Sequence, residues 1–218
     1  MQLLTEGVSV VTTTWNEADN IEKLVTAVRK VLAGVAHEII VVDDSSTDGT
    51  IEITQRVADV AVSKQREGQS KGLLHGMQLA KYPFVVTIDA DLENDPKYIP
   101  QMLQQMQAGA DVVVASRTKI PRFSEKVASK TLGKLVGVTD FFSNFRAFRT
   151  EHVPMFVLGE GEMFGSEFLI LAKKHKLKIT EIRYEAPPRR QNPRIGGTLR
   201  ANVRILWATA KAMWLYVK

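Results

Sequence analysis

The chain contains the stretch Phe84-Val85-Val86-Thr87-Ile88-Asp89-Ala90-Asp91, in which an apolar run ends in two acidic residues. Similar short runs of β-branched residues occupy residues 8–12, 38–42, 60–62 and 111–115. A helix-like stretch follows each of the first four runs in chain order, and this alternation is typical of βαβ units with a mostly parallel sheet. Because the runs are apolar throughout, we expect helices on both faces of the sheet. The sequence therefore predicts an α/β fold.

After residue 118 the alternation becomes less regular. The pattern there predicts a helix over residues 125–136, an extended segment over 145–149, a helix over 166–174 and a strand over 178–184. No linker rich in Pro, Gly or Ser divides the 218 residues. We therefore expect one domain over residues 1–197 and a C-terminal amphipathic helix over residues 198–218.

Composition limits the classes of chemistry that the chain can perform. It contains no cysteine, which excludes disulfides, zinc–thiolate sites and a cysteine nucleophile, and which suits a reducing cytoplasm. The first residues have neither a basic region nor a long apolar core, so we expect no signal peptide. The net charge of +5 is unevenly distributed, because residues 171–218 carry twelve Lys/Arg and only two acids, Glu181 and Glu185. Nucleic acid, anionic lipid and phosphorylated substrates could all bind such a segment.

Acidic residues follow the run at 84–88. Ligands of open α/β sheets bind at the carboxyl ends of the strands. Asp89 and Asp91 are two residues apart on an extended chain, so both carboxylates can point to one place, and Glu93 could add a third oxygen. Mg²⁺ prefers such oxygen ligands together with substrate phosphates. These acids could also serve only as turn and cap residues.

Four motifs in order resemble the inverting glycosyltransferases with the GT-A fold. They are the stretches at residues 12–17 (TTTWNE), 42–50 (VDDSSTDGT), 71–76 (KGLLHG) and 89–96 (DADLENDP). Within that group the chain looks most like the dolichyl-phosphate mannose synthases and other polyprenyl-phosphate glycosyltransferases. The similarity covers about residues 7–197, and it implies a Rossmann-like GT-A sheet.

The resemblance assigns roles to particular residues. It implies that Mg²⁺ or Mn²⁺ is held by Asp89, Asp91 and Glu93. It implies that the donor nucleotide is bound by a larger set, consisting of Thr14, Asn16, Glu17, Asp44, Lys71, Asp89, Arg189 and Arg194. It implies catalytic roles for Asp91, Arg117, Asp140 and Arg146. Asp43 could equally be an inward acid with a capping role.

A lipid phosphate is largely ionised at neutral pH, so it can attack a sugar without a strong general base. What it needs is alignment and neutralisation of charge, which arginine supplies through paired donors. Arg117, Arg146, Arg189 and Arg194 are the candidates, although each could instead be a solvated surface charge. Asp140 is expected to orient an arginine or the sugar. The chain departs from the mannose synthases on the acceptor side, where Glu125-Lys126 and Thr118-Lys119-Ile120-Pro121 replace an Arg-Lys pair and a Gly-rich loop.

The C-terminal helix either lies on a membrane or packs on the domain. Trp207, Trp214 and Tyr216 suit a membrane–water interface. The longest apolar run, residues 205–217, is interrupted by Lys211 and is shorter than the ~20 residues that span a bilayer. Because a polyprenyl phosphate must be collected from a bilayer, we expect a peripheral protein at the cytoplasmic face of a membrane.

We therefore expect metal-dependent transfer of mannose from GDP-mannose to a dolichyl or other polyprenyl phosphate, with inversion. A UDP-sugar donor with a lipid phosphate or another acceptor is the alternative. A nucleic-acid-binding module is disfavoured, because the basic segment lacks a helix-turn-helix or RNA-binding signature. An inactive regulatory protein remains a third interpretation. No phosphate-loop motif occurs, and Gly68, Gly72 and Gly76 are expected to permit close helix packing.

Overall fold

The computed structural model describes residues 6–120, 122–156 and 164–186, and residues 202–203, 205–207, 209–211 and 214 near the C-terminus. The strands are β1 (Val8–Thr14), β2 (His37–Asp43), β3 (Val60–Ser63), β4 (Phe84–Thr87), β5 (Val112–Arg117), β6 (Arg146–Arg149) and β7 (Ile179–Tyr184). The α-helices are α1 (Ile21–Val31), α2 (Thr50–Val57), α3 (Gln69–Gln78), α4 (Ile99–Gln107), α5 (Phe123–Ala128), α6 (Lys134–Val136) and α7 (Phe164–Lys174). A π-helical turn, Ser129–Gly133, joins α5 to α6.

The strands form one seven-stranded sheet in the order β3-β2-β1-β4-β6-β5-β7. Neighbouring strands run parallel except around β6, which is antiparallel to both β4 and β5. The predicted mostly parallel α/β sheet is therefore confirmed. Since β6 runs in the opposite direction, it begins at the edge where β4 and β5 end. Arg146, its first residue, pairs with Thr87 on one side and with Val114 on the other.

Helices cover both faces of the sheet. Val10 packs in one apolar cluster with Leu24 of α1, whereas the adjacent Val11 packs in a second cluster with Leu73 of α3 and Leu169 of α7. Successive strand residues thus enter opposite cores, and the continuous apolar runs follow from this two-sided burial. The expected close packing is confirmed at Gly72 and Gly76, where a Cβ would lie 2.7 Å from Cγ2 of Thr13 and 2.5 Å from Cγ1 of Val11. Gly68 instead precedes α3 with a φ of +93°.

Some boundaries differ from the predicted ones. β5 extends to Arg117, two residues beyond the predicted apolar run, because Arg117 pairs with Tyr184 of β7. The described residues between 202 and 214 are helical, but much of the expected C-terminal amphipathic helix lies outside the described residues and stays a prediction. In the parts of the chain that the structure describes, no helix is long and apolar enough to cross a bilayer.

Candidate active site

The candidate active site lies at one edge of the sheet, where the carboxyl ends of four strands meet. β1 and β2 end at Thr14 and Asp43, which the ladder pairs with each other, and β5 ends at Arg117. Asp89 follows β4 after one further residue, Ile88, whose backbone N–H donates to the carbonyl of Val11. The sheet therefore brings together motifs that are far apart in the sequence.

Asp89 is half-buried and is held by three amide side chains. Its Oδ1 accepts hydrogen bonds from Gln69 Nε2 at 2.6 Å and from Asn144 Nδ2 at 3.5 Å, and its Oδ2 accepts one from Asn94 Nδ2 at 3.2 Å. Burial raises the pKa of Asp89, while the amides and the nearby Arg117 oppose the rise. Because amides are neutral, they fix the direction of the carboxylate without cancelling its charge.

Asp91 lies next to Asp89 at the open side of the cleft. Desolvation in the cleft and the neighbouring carboxylates of Asp89, Glu93 and Glu17 raise the pKa of Asp91 to about 7. Its Oδ1 accepts a hydrogen bond from the backbone N–H of Glu93 at 2.9 Å. The charges of Asp89 and Asp91 repel each other, and a cation between them would relieve this repulsion.

The donor atoms at this point suit a hard divalent cation. Mg²⁺ and Mn²⁺ accept carboxylate oxygens, and Mg²⁺ usually binds one or two carboxylates together with substrate phosphates. Among the residues that the structure describes, no group of three acidic, histidine or cysteine side chains forms a metal site without a substrate. The pair Asp89 and Asp91 therefore suits a divalent cation whose coordination a diphosphate would complete. Glu93 as a third ligand stays a prediction.

The loop after β1 is tied to the loop after β2. Asn16 adopts a left-handed backbone with φ of 55°. Its side-chain oxygen accepts a hydrogen bond from the backbone N–H of Thr47 at 3.0 Å, and its own N–H donates to Ser46 Oγ at 2.8 Å. Glu17 is buried, and its N–H donates to Thr50 Oγ1 at 2.8 Å. These contacts hold together the two loops at which the donor nucleotide is predicted to bind.

Two buried side chains, those of Thr14 and Asp43, support these two loops. Thr14 donates its hydroxyl to Oδ1 of Asp43 at 2.9 Å, and the same Asp43 carboxylate accepts from both the N–H and the hydroxyl of Ser46. Thr14 and Asp43 are almost inaccessible to solvent. Asp43 is therefore an inward acid with a structural role, and the structure gives Thr14 a supporting position. The predicted contact between Thr14 and the nucleotide is not tested.

Asp44 organises the segment after β3. Its Oδ1 lies 2.5 Å from Lys64 Nζ and accepts the N–H of Glu67, and its Oδ2 accepts the N–H of Gly68, both at 2.9 Å. Burial raises the pKa of Asp44, but Lys64 and the two N–H groups outweigh burial, so the pKa is lowered. Lys71 is half-exposed and pairs with Glu67 at 3.2 Å. The predicted nucleotide contacts of Asp44 and Lys71 stay predictions.

Arg117 and Asp140 form a bidentate ion pair. Arg117 Nε lies 2.5 Å from Asp140 Oδ2, and Arg117 Nη2 lies 3.1 Å from Asp140 Oδ1. Asp140 is buried beneath the arginine. Burial lowers the pKa of Arg117, but Asp140 and Glu125 outweigh burial and raise it. The guanidinium therefore stays protonated, and Asp140 fixes its orientation. The predicted catalytic roles of the two residues are not tested.

Arg146 lies beneath the site and has no solvent-exposed surface. Its Nη2 donates to the carbonyl of Phe141 at 3.0 Å, and its guanidinium lies 5.2 Å from the ring centre of Phe168. Burial lowers the pKa of Arg146 to about 9, against the raising effect of Asp140 and Asp89, so it is still a cation at neutral pH. In this structure Arg146 has no surface with which it could contact a bound phosphate directly, and its predicted catalytic role is not tested.

Several residues of the site carried no clear signal in the sequence. Asn94 is buried and connects Asp89 to Tyr184, whose hydroxyl donates to the Asn94 side-chain oxygen. Asn94 lies within the motif at residues 89–96, whereas Gln69, Asn144 and Tyr184 lie outside the four motifs. Arg189 and Arg194 lie outside the described residues.

Residues 9–171 match the profile of Glycosyl transferase family 2. The chain belongs to this family. It is 32% identical over 190 residues to a dolichol-phosphate mannosyltransferase from Pyrococcus furiosus, an alignment that covers 78% of this chain and 54% of that protein. It is 34% identical over 196 residues to an undecaprenyl-phosphate 4-deoxy-4-formamido-L-arabinose transferase from Pectobacterium atrosepticum, covering 81% of this chain and 58% of the relative. The family 2 chain thus spans little more than half the length of these relatives.

Solved structures support the GT-A fold of this family 2 chain. Mannosyl-3-phosphoglycerate synthase from Rubrobacter xylanophilus superposes with a TM-score of 0.76 at 19% identity, covering 96% of this chain and 73% of that one. Glucosyl-3-phosphoglycerate synthase from Mycobacterium tuberculosis, in complex with Mn²⁺ and UDP-glucose, gives a TM-score of 0.76 at 21% identity, covering 95% and 80%. At these identities the likeness shows the fold alone.

Proposed function

We propose that this family 2 chain transfers a sugar from a nucleoside-diphosphate sugar to a polyprenyl phosphate, with inversion at the anomeric carbon. The observation that carries the proposal is the arrangement of Asp89 and Asp91 at the same strand edge as the Arg117–Asp140 pair. Arg117 lies close enough to Asp89 for its charge to oppose the rise that burial causes in the pKa of that carboxyl group. The groups that we propose to bind the donor diphosphate and those that we propose to bind the acceptor phosphate thus lie within one cleft.

The names of the two relatives support this acceptor class. One name specifies dolichol phosphate and the other undecaprenyl phosphate, whereas the sugars are mannose and a modified arabinose. We propose GDP-mannose as the donor, as the resemblance implies. A UDP-sugar is the second candidate, because the donor-side motifs do not distinguish the two bases.

In the proposed reaction, an oxygen of the acceptor phosphate attacks the anomeric carbon. The bond from that carbon to the donor diphosphate breaks, and the nucleoside diphosphate leaves with the electron pair. The acceptor needs no general base, since its phosphate is already ionised at neutral pH. Arg117, fixed by Asp140, would align the acceptor phosphate, and Arg146 would add positive charge from below.

Asp89 and Asp91 would hold Mg²⁺ or Mn²⁺ in this reaction, with Glu93 as a further candidate. A bound divalent cation would neutralise the charge that develops on the leaving diphosphate. The amides of Gln69, Asn94 and Asn144 would keep the Asp89 carboxylate directed toward the cleft.

The described part of the C-terminal segment supports contact with a membrane surface. Its polar side chains face the domain, where Asn202 Oδ1 accepts the Ser124 hydroxyl at 2.6 Å and Lys211 Nζ lies 3.8 Å from Glu167 Oε1. Most of its described apolar side chains are exposed, namely Val203, Leu206, Trp207 at 62% and Trp214 at 58%, while Ile205 is partly buried. This is the reverse of the usual orientation of a helix that packs on its own domain.

We therefore propose that the exposed side of this segment rests on the cytoplasmic face of a membrane, from which the acceptor is collected. Tryptophan suits the interface, and the basic residues of the C-terminal region would add attraction to anionic lipid. The nucleic-acid-binding and inactive regulatory interpretations remain the competing proposals.

Calorimetry tests the proposal. GDP-mannose, UDP-glucose and UDP-N-acetylglucosamine are titrated into the protein with and without Mn²⁺. We expect Mn²⁺-dependent binding of GDP-mannose, followed by transfer of mannose to dolichyl phosphate. A preference for a UDP-sugar would select the second candidate. Absence of binding for all three donors would contradict the proposed function.

A further inference from the structure

Glu125 bridges two arginines on the acceptor side of the cleft. Its Oε2 lies 3.5 Å from Nη2 of Arg117, and its Oε1 lies 3.3 Å from Nη1 of Arg122. The residue is only 7% exposed. A phosphate bound between the two guanidinium groups would likewise place one oxygen near Arg117 and another near Arg122. The Glu125 carboxylate thus occupies a position between two guanidinium groups that suits an anionic ligand.

The charges of this cluster cancel. Arg117 and Arg122 contribute two positive charges, while Asp140 and Glu125 contribute two negative ones. A phosphate monoester carries about −1.5 to −2 charges at neutral pH. Taken together, these four side chains therefore carry no net charge with which to attract such a ligand. Removal of the Glu125 carboxylate leaves a cluster with one net positive charge.

Glu125 stands on a short helix that is not part of the sheet. α5 has six residues, and a π-helical turn follows it directly. Such turns are frequent at functional sites. Ser124 connects α5 to Asn202 of the C-terminal segment, and Phe123 is exposed. The element that carries Glu125 is therefore attached to the part of the molecule that we propose to contact the membrane.

We infer that Glu125 is an internal competitor of the acceptor phosphate. It weakens the binding of every phosphate by about the same factor, so that only a phosphate with further contacts, such as those of a lipid chain, binds well. This inference rests on the proposed function, because it takes Arg117 as the acceptor site. A free phosphate must displace Glu125 using its phosphate contacts alone. A prenyl phosphate also gains apolar contacts with the rest of the cleft or the membrane, and these offset the cost of displacement.

The variant Glu125→Gln tests this, since it keeps the shape of the side chain and removes its charge. Inorganic phosphate and a water-soluble short-chain prenyl phosphate are titrated by calorimetry into protein saturated with GDP and Mn²⁺. We expect both ligands to bind about tenfold more tightly to Glu125→Gln than to the wild type, because one partly screened charge is removed. The control is Asp59→Asn. Asp59 forms an ion pair with Arg29, with 3.0 Å between Oδ1 and Nη2, and it is not one of the site residues. This variant should leave both affinities unchanged.

Equal or weaker phosphate binding by Glu125→Gln, with GDP still bound, would overturn the inference and leave the proposed function intact. If neither GDP nor UDP binds to the wild type with Mn²⁺, the proposed function itself fails. Hydrogen exchange on the wild type provides a second measurement that does not depend on the variant. Prenyl phosphate should accelerate exchange of the α5 amides, and unchanged or slower exchange there would count against displacement of Glu125.

Discussion

Replacement of Asp91 with asparagine should stabilise the metal-free protein above neutral pH and remove its stabilisation by Mn²⁺. The pKa of Asp91 is raised from 3.8 to about 7 by desolvation in the cleft and by the neighbouring carboxylates, Asp89 above all. The folded protein therefore holds this proton more tightly than the unfolded chain does. Ionisation of Asp91 destabilises the fold, and the destabilisation develops between about pH 4 and pH 7 and is constant at higher pH.

The size of the effect follows from this pKa. At about 1.4 kcal/mol for each pKa unit, the rise corresponds to an upper limit of about 4 kcal/mol. Asp91 lies at the open side of the cleft and is solvent-exposed, and screening by water reduces this limit to about 1–2 kcal/mol. In a protein of this length, such a change raises Tm by roughly 2–8 °C.

Thermal unfolding followed by circular dichroism measures this difference. Wild type and Asp91→Asn are compared at pH 4.5 and pH 8 in EDTA, and again at pH 8 with Mn²⁺ and GDP. We expect the variant to be more stable at pH 8 in EDTA, with little difference at pH 4.5. Added Mn²⁺ and GDP should raise the Tm of the wild type much more than that of the variant. Asp19→Asn removes an exposed acid to which no role in the site is assigned and serves as the matched control.

Two results would refute the reasoning. A variant that is less stable than the wild type at pH 8 in EDTA would show that Asp91 does not carry the charge repulsion assigned to it. Equal stabilisation of both proteins by Mn²⁺ would show that Asp91 is not a metal ligand.

Three further predictions concern other parts of the molecule. Arg117→Lys loses the bidentate pair with Asp140, so transfer to the acceptor should fall roughly 100-fold; kinetics would show this, and weakened donor binding would contradict an acceptor-side role. Gly76→Ala places a methyl group 2.5 Å from Cγ1 of Val11, and urea denaturation should show a loss of about 1–3 kcal/mol of unfolding free energy. Gly34→Ala is the comparison: nothing lies within 4 Å of the added methyl group, but φ is +82°, so this variant tests backbone strain alone. Trp207→Ala should weaken binding to anionic vesicles in flotation assays, and unchanged binding would argue against the proposed membrane contact.

Much of the fold could be read from local patterns. The runs before Asp43 and Asp89 are apolar and β-branched, and they formed strands with helices on both faces. The acids after those strands lie at the predicted edge, because parallel strands end on the same side of a sheet. The family resemblance also held, since it rested on motifs whose order along the chain is independent of how the strands are arranged in space.

The sequence could not predict how the second half of the chain completes the site. β6 is inserted between β4 and β5 in the opposite direction, and this brings Asn144 to Asp89 and buries Arg146 beneath the site. The amide of Gln69 reaches Asp89 across 20 residues of sequence, and the hydroxyl of Tyr184 reaches Asn94 across 90. Such contacts depend on strand order and side-chain packing, which local patterns do not encode.

By itself, the sequence determined the α/β class, the strand ends that carry acids and the family, because periodicity and motif order are properties of the chain. Only the tertiary structure decided which charges meet. It paired Asp140 with Arg117 and placed Glu125 between Arg117 and Arg122. It also turned the described polar residues of the C-terminal segment toward the domain. An ion pair depends on distances of a few ångströms between residues distant in sequence, and those distances are set only when the sheet and its helices pack together.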